Sequence, residues 1–246
     1  MNASRRPLLV SAALALALGP RLAFAWGNTV TGSGSAASEH RDVGSFAAIA
    51  LGGPFEVILR TANREAIDIR ADDDVLPLIE TRIRTSAGRR SLEIELRNET
   101  RVAPRTPIVI TVDIVLLEGI AISGSGRIAG NALRLGAMKA SIGGSGTFQL
   151  GDLEASEITV AIGGSGLFQA DGRVRKLAVK IAGNGKCDAA RLVAADVAVS
   201  IAGSGDAYVH ADATLQASIA GSGDVIHSGN ATPKVSIAGS GRVMRG

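Results

Sequence analysis

SIAGSG stands at residues 200–205, again at 218–223 and again at 236–241. Four looser copies precede these three, and together they form one motif, Ile-small-Gly-(Ser/Asn)-Gly. Its isoleucines are Ile122, Ile142, Ile162, Ile181, Ile201, Ile219 and Ile237, at spacings of 20, 20, 19, 20, 18 and 18 residues. Self-similarity at a near-constant period marks a repeat architecture. Each motif follows an alternating apolar run, such as Ile158-x-Val160-x-Ile162 or Val197-x-Val199-x-Ile201. Period two is the signature of a strand with one buried face. Two residues beyond each last glycine another apolar side chain appears: Ile128, Phe148, Phe168, Cys187, Ala207, Val225 and Val243. The unit is therefore strand, glycine corner, strand and return.

One such unit cannot bury its apolar face, but stacked units can, each adding a rung at about 4.8 Å. The expected fold is all-β, a parallel β-helix or β-solenoid with coils of 18–20 residues and a less regular β-rich N-terminal part. The corners are Gly124-Ser125-Gly126, Gly144-Ser145-Gly146, Gly164-Ser165-Gly166, Gly183-Asn184-Gly185, Gly203-Ser204-Gly205, Gly221-Ser222-Gly223 and Gly239-Ser240-Gly241. Glycine reaches positive φ without a Cβ clash. The central hydroxyls are expected to file along one edge and to bond neighbouring corner backbone.

The first 25 residues read as an export signal. Arg5 and Arg6 precede an apolar run from Leu8 to Leu18, and Ala23-Phe24-Ala25 fits a cleavage site before Trp26. The Sec and twin-arginine routes both fit, placing the mature chain in the periplasm or at the cell surface. Three of the 26 basic residues leave with the signal, and no acid does, so 23 cations face 23 anions. A balanced chain has no electrostatic bias toward nucleic acid. No second apolar span follows, so the mature chain is expected not to span a membrane. Residues 26–41 form an expected lead-in, extended or partly mobile. Residues 42–120 form irregular β coils that cap the solenoid, and 121–246 the regular coils. Strand-like runs fall at 55–60, 66–70, 92–97 and 108–114.

Several chemistries compete for the glycine corners and the few reactive side chains. A dinucleotide loop needs a third glycine that every G-x-G here lacks. Asp206 and Asp224 directly follow two corners and are the weak calcium candidates, although calcium wants about 6–8 oxygen ligands. The acid run Asp72-Asp73-Asp74 fits turn and helix-start chemistry, where carboxylates accept free amides. His40, His210 and His227 lack partners at metal spacing. Cys187 lies in an inward file beside Phe168 and reads as a buried thiol. No G-x-S-x-G nucleophile motif is present. No catalytic residue, cofactor or firm metal site is expected.

RDVGSFAAIALGGPFEVIL from Arg41, IDIRADDDVLPLIETRI from Ile67, LEIEL from Leu92 and the serial ISGSG-like corners resemble the auto-transporter adhesin head GIN domain family. The resemblance covers roughly residues 40–245. It implies an exported β-helical protein and transfers no catalytic residue. The expected function is non-catalytic binding, adhesion or scaffolding. The expected partner is an envelope component, a polysaccharide, a protein or a second copy. A β-helical polysaccharide lyase or hydrolase is the alternative, and it needs a facing carboxylate pair.

Overall fold

The computed structural model describes residues 29–97 and 100–246. The export signal and Trp26 lie outside the described residues. The described elements are strands, gathered into a 17-stranded and a 2-stranded sheet, with a 3-10 turn at Leu76–Leu78.

The motif isoleucines stand directly over one another. Parallel pairing places Ile122 on Ile142, then Ile162, Ile181, Ile201, Ile219 and Ile237. A second file runs Ile128, Phe148, Phe168, Cys187, Ala207, Val225 and Val243. Phe148 and Phe168 meet edge to face, with ring centroids 6.3 Å apart. Both files fill the interior, and each buried Ile contributes about 1.5–3 kcal/mol. The molecule is a β-solenoid.

The corners are joined by backbone, not by hydroxyls. The amides of Ser145, Ser165 and Asn184 donate to the carbonyls of Gly124, Gly144 and Gly164 at 2.9 Å. Ser222 and Ser240 repeat this bond on Gly203 and Gly221. The corner hydroxyls, expected to make these links, point to solvent and bond no other described residue. Close stacking explains the glycines. At Gly164, φ is +126°, and an added Cβ would stand 2.6 Å from the Gly144 carbonyl oxygen. At Gly166 it would stand 2.5 Å from Ile142 Cγ2.

Coil length varies only in the return. Registers shift between Leu150 and Leu153, between Gln169 and Asp171, and between Ala189 and Val193. The corner registers stay unbroken, so the return absorbs the 18-to-20-residue variation.

The N-terminal part stacks out of chain order. Leu51 lies between Ile94 and Ile122, and Val57 lies between Ile110 and Ile128. The chain thus lays down one rung at 48–61, builds the end rung from 91–114, and passes back to resume at 119. Antiparallel strands close this end: Ala36–Asp42 pairs with Ala66–Asp72, and Ile79–Ser86 pairs with Arg89–Leu96. The lead-in is itself held in strands, Thr29–Thr31 pairing with Arg101–Ala103. At the opposite end no strand pairs beyond 233–245 among the described residues, and Ile237 is 41% exposed where Ile219 is 1%.

Candidate functional site

The return segments carry the candidate site. Across four rungs they align Arg134, Glu154, Arg173 and Val193. Beside this row lie Leu135, Ala155, Val174 and Ala194. Along these rows lies a groove of about 760 Å³. Its lining is Arg134, Leu135, Glu154, Ala155, Arg173, Val174, Arg175, Val193, Ala195 and Asp212.

The charges in this lining are unequally satisfied. Arg134 Nε lies 3.0 Å from Glu154, and its Nη1 donates to the Asp152 carbonyl at 2.7 Å. Asp212 lies 3.1 Å from His210 Nε2. Each acid in the lining therefore has a basic partner. Arg173 and Arg175 are exposed, and neither makes a hydrogen bond or ion pair with a described residue. The groove holds two free guanidiniums above an apolar floor. A second hollow of about 670 Å³ lies along Ile58, Gln149 and Gln169. Its arginines are used: Arg60 binds Asp113 at 2.6 Å and Arg191 reaches Asp171 at 3.6 Å.

The residues singled out in the sequence lie elsewhere. Asp206 and Asp224 occupy neighbouring rungs, but their oxygens serve the solenoid. Asp206 accepts the Asp224 amide at 3.0 Å. Asp224 accepts the Arg242 amide at 3.0 Å and pairs with its guanidinium at 2.7 Å. The Arg242 hydrogen bond holds the Asp224 carboxyl below the usual range. Among the described residues no group of three or more His, Cys, Asp or Glu is placed to hold a metal ion.

The acid run acts as a clasp. Asp72 is buried and accepts the amides of Arg105 at 2.7 Å and Thr106 at 3.2 Å. Asp73 accepts the Ser33 hydroxyl at 2.5 Å, and Asp74 accepts the Ser33 amide at 3.0 Å. Cys187 is buried, and burial pushes its thiol up to about 12. Such a thiol stays protonated and inert near neutral pH.

The histidines are separate. His40 Nδ1 lies 2.6 Å from Asp68, which raises its pKa. His210 faces Ser228 at 2.8 Å. His227 stacks between Val209 and Arg245, and its buried Nδ1 has no partner.

Arg173 and Arg175 were not singled out from the sequence. The available signal is Arg173-Val174-Arg175-Lys176, the most basic stretch of any return.

A family model described as "Putative auto-transporter adhesin, head GIN domain" matches residues 45–231. The chain belongs to this family. The same fold recurs in crystal structures. A putative adhesin from Bacteroides fragilis NCTC 9343 superposes with a TM-score of 0.76 at 21% identity, covering 88% of this chain and 99% of that one. A putative lipid binding protein from Parabacteroides distasonis ATCC 8503 superposes at 0.72 with 20% identity, covering 89% and 100%. A putative adhesin from Parabacteroides merdae ATCC 43184 gives 0.61 at 19% identity, covering 89% and 100%. No curated protein matches the chain by sequence. At these identities the structural likeness establishes the head GIN fold alone.

Proposed function

We propose that the chain is a non-catalytic binding module of the cell surface or envelope and that the return-face groove is its ligand site. The observation that carries this reading is the pair of unpartnered guanidiniums, Arg173 and Arg175, over an apolar floor on a rigid face. A surface that only had to stay in water would not need that combination, and convergent polar groups over apolar lining are the usual mark of a ligand site. Family membership and the adhesin and lipid binding descriptions of similar structures support a binding role. The solenoid suits it mechanically. Ladder pairing on both sides of Glu154 and Arg173 holds this part of the lining in place, so little ordering accompanies binding there.

The test is co-sedimentation of residues 26–246 with peptidoglycan, outer-membrane and surface-polysaccharide fractions, with and without calcium. Saturable pelleting with one fraction, lost in the Arg173→Gln/Arg175→Gln variant, is expected. Retention unchanged by that variant moves the site off the groove. Calcium-dependent retention redirects attention to Asp206 and Asp224. No retention by any fraction removes the envelope-binding role.

A further inference from the structure

Taking the groove as the binding site, we propose that it takes a single-chain, acid-headed amphiphile of fatty-acid type. The carboxylate sits on Arg173 and Arg175, and the chain lies across Ala155 and Leu135.

Charge selects the head. Glu154 is paired with Arg134, and Asp212 lies against the His210 ring, so Arg173 and Arg175 are the guanidiniums left without a carboxylate. Arg173 and Arg175 lie two residues apart on one strand, and strand alternation sends both to the same side. Guanidinium forks bind carboxylate through paired, charge-assisted hydrogen bonds. The surplus is small and local, which matches one acid head rather than a polyanion.

Register selects the tail. The apolar lining runs across the rungs rather than along a strand. Ala155 and Leu135 lie one and two rung steps from the rung of Arg173, a track of about 10 Å. Each of these rungs places one apolar side chain in the row, which suits one extended hydrocarbon chain. Each methylene buried on it should tighten binding about fourfold.

The same geometry disfavours other occupants. A peptide strand needs an open sheet edge. Glu154 and Arg173 are paired on both sides, and of these three rungs only the strand at Arg134 and Leu135 keeps an unpaired side, two rungs from Arg173, so a peptide added there would not lie along Arg173 and Arg175. A glycan wants an aromatic platform, and the lining contains no aromatic residue.

The test is calorimetric titration of residues 26–246 with sodium dodecanoate below its micelle-forming concentration. Acetate supplies the head alone, dodecyl maltoside the same chain with an uncharged head, and dodecyl phosphate a different acid. The expected result is saturable binding of one dodecanoate. Arg173→Gln/Arg175→Gln should weaken it about tenfold or more, about 1.4 kcal/mol. Arg173→Lys/Arg175→Lys should retain part of it, and Leu135→Asn should weaken dodecanoate without creating acetate binding. Circular dichroism and an unchanged urea midpoint show that each variant is folded.

Four outcomes overturn the proposal: no dodecanoate binding, equal binding of dodecyl maltoside, binding indifferent to the arginines, or tighter binding of dodecyl phosphate. If dodecanoate fails while the arginine variant still abolishes sedimentation with an envelope fraction, the ligand class falls and the groove stands. If the arginines matter in neither experiment, the groove itself falls.

Discussion

Asp72 Oδ2 accepts a hydrogen bond from the Arg105 amide at 2.7 Å, tying the acid run to a loop 33 residues further along the chain. The bond sits where the end rung needs it. Rungs further along turn on a glycine corner, but the rung of Ile94 and Ile110 turns through a long loop. Asp72 fastens that loop, and its neighbours Asp73 and Asp74 fasten Ser33. The tripeptide thus ties both the Arg105 loop and Ser33 to the antiparallel cap.

Asp72→Asn should lower the urea midpoint at pH 7 and flatten its pH dependence. The Thr106 side chain, and then the amides of Arg105, Thr106 and Gly34, hold the Asp72 carboxyl below the usual range. A native pKa below the unfolded one stabilises the fold above about pH 4. That contribution disappears as pH falls through the native value. The wild-type midpoint should drop more between pH 7 and pH 3 than the variant's. Equal drops in the two proteins would show that the carboxylate contributes nothing to the cap.

The corner demands backbone space rather than hydroxyl chemistry, so adjacent substitutions should differ sharply. Gly164→Ala places a methyl 2.6 Å from a carbonyl oxygen at φ +126°. Backbone strain of this kind costs about 1–3 kcal/mol. Ser165→Ala removes a hydroxyl that bonds no other described residue, and its amide bond to Gly144 remains. Its change should stay within about 0.5 kcal/mol. Urea unfolding of both variants checks the contrast, and a large loss in Ser165→Ala would restore the hydroxyl file as a structural element.

Position in the stack should outweigh position in the motif. Ile181 and Ile237 hold the same motif place, but Ile181 is 2% exposed and Ile237 41%. Ile181→Ala should cost about 2–5 kcal/mol, as buried truncations do. Ile237→Ala should cost about 1 kcal/mol or less, since much of its area already faces water. Similar losses in urea unfolding would mean that the terminal rung is covered in solution, and analytical ultracentrifugation would then reveal a dimer.

The regular coils were legible because Ile162, Gly164, Gly166 and Phe168 each do one job that only their residue type performs. The rung order was not. Leu51-Gly-Gly-Pro-Phe55 fills the place of Ile122-Ser-Gly-Ser-Gly126, with Pro54 and Phe55 where serine or asparagine and then glycine stand in the seven regular corners. Nothing local says that this coil sits beneath residues 119–131 and above 91–114. The groove was hidden for a related reason. Arg173 and Val193 become neighbours only after the register shift between Gln169 and Asp171, and a bulge erases the period-two phase on which sequence reading depends. Asp206 and Asp224 drew attention through their place after a glycine, but that place also lets a carboxylate reach the amide of the next rung.

His40 and His227 should titrate in opposite directions from an ordinary histidine. His40 is raised, first by its hydrogen bond to Asp68 and then by the charges of Asp68 and Asp42. His227 is lowered, first by burial and then by Arg245 stacked above it. NMR titration of the ring signals should place His40 above about 6.5 and His227 below it. The linked stabilities differ in sign. A raised native pKa stabilises the fold below the unfolded value, so the His40–Asp68 pair contributes at acid pH and fades as pH rises through the native value. A lowered native pKa does the reverse, so protonation of His227 in mild acid works against the last two rungs. His227→Leu removes both the unpartnered Nδ1 and the titration. It should raise the urea midpoint at pH 5.5 more than at pH 8. An equal gain at both pH values would reduce His227 to a packing defect with no role in acid sensitivity.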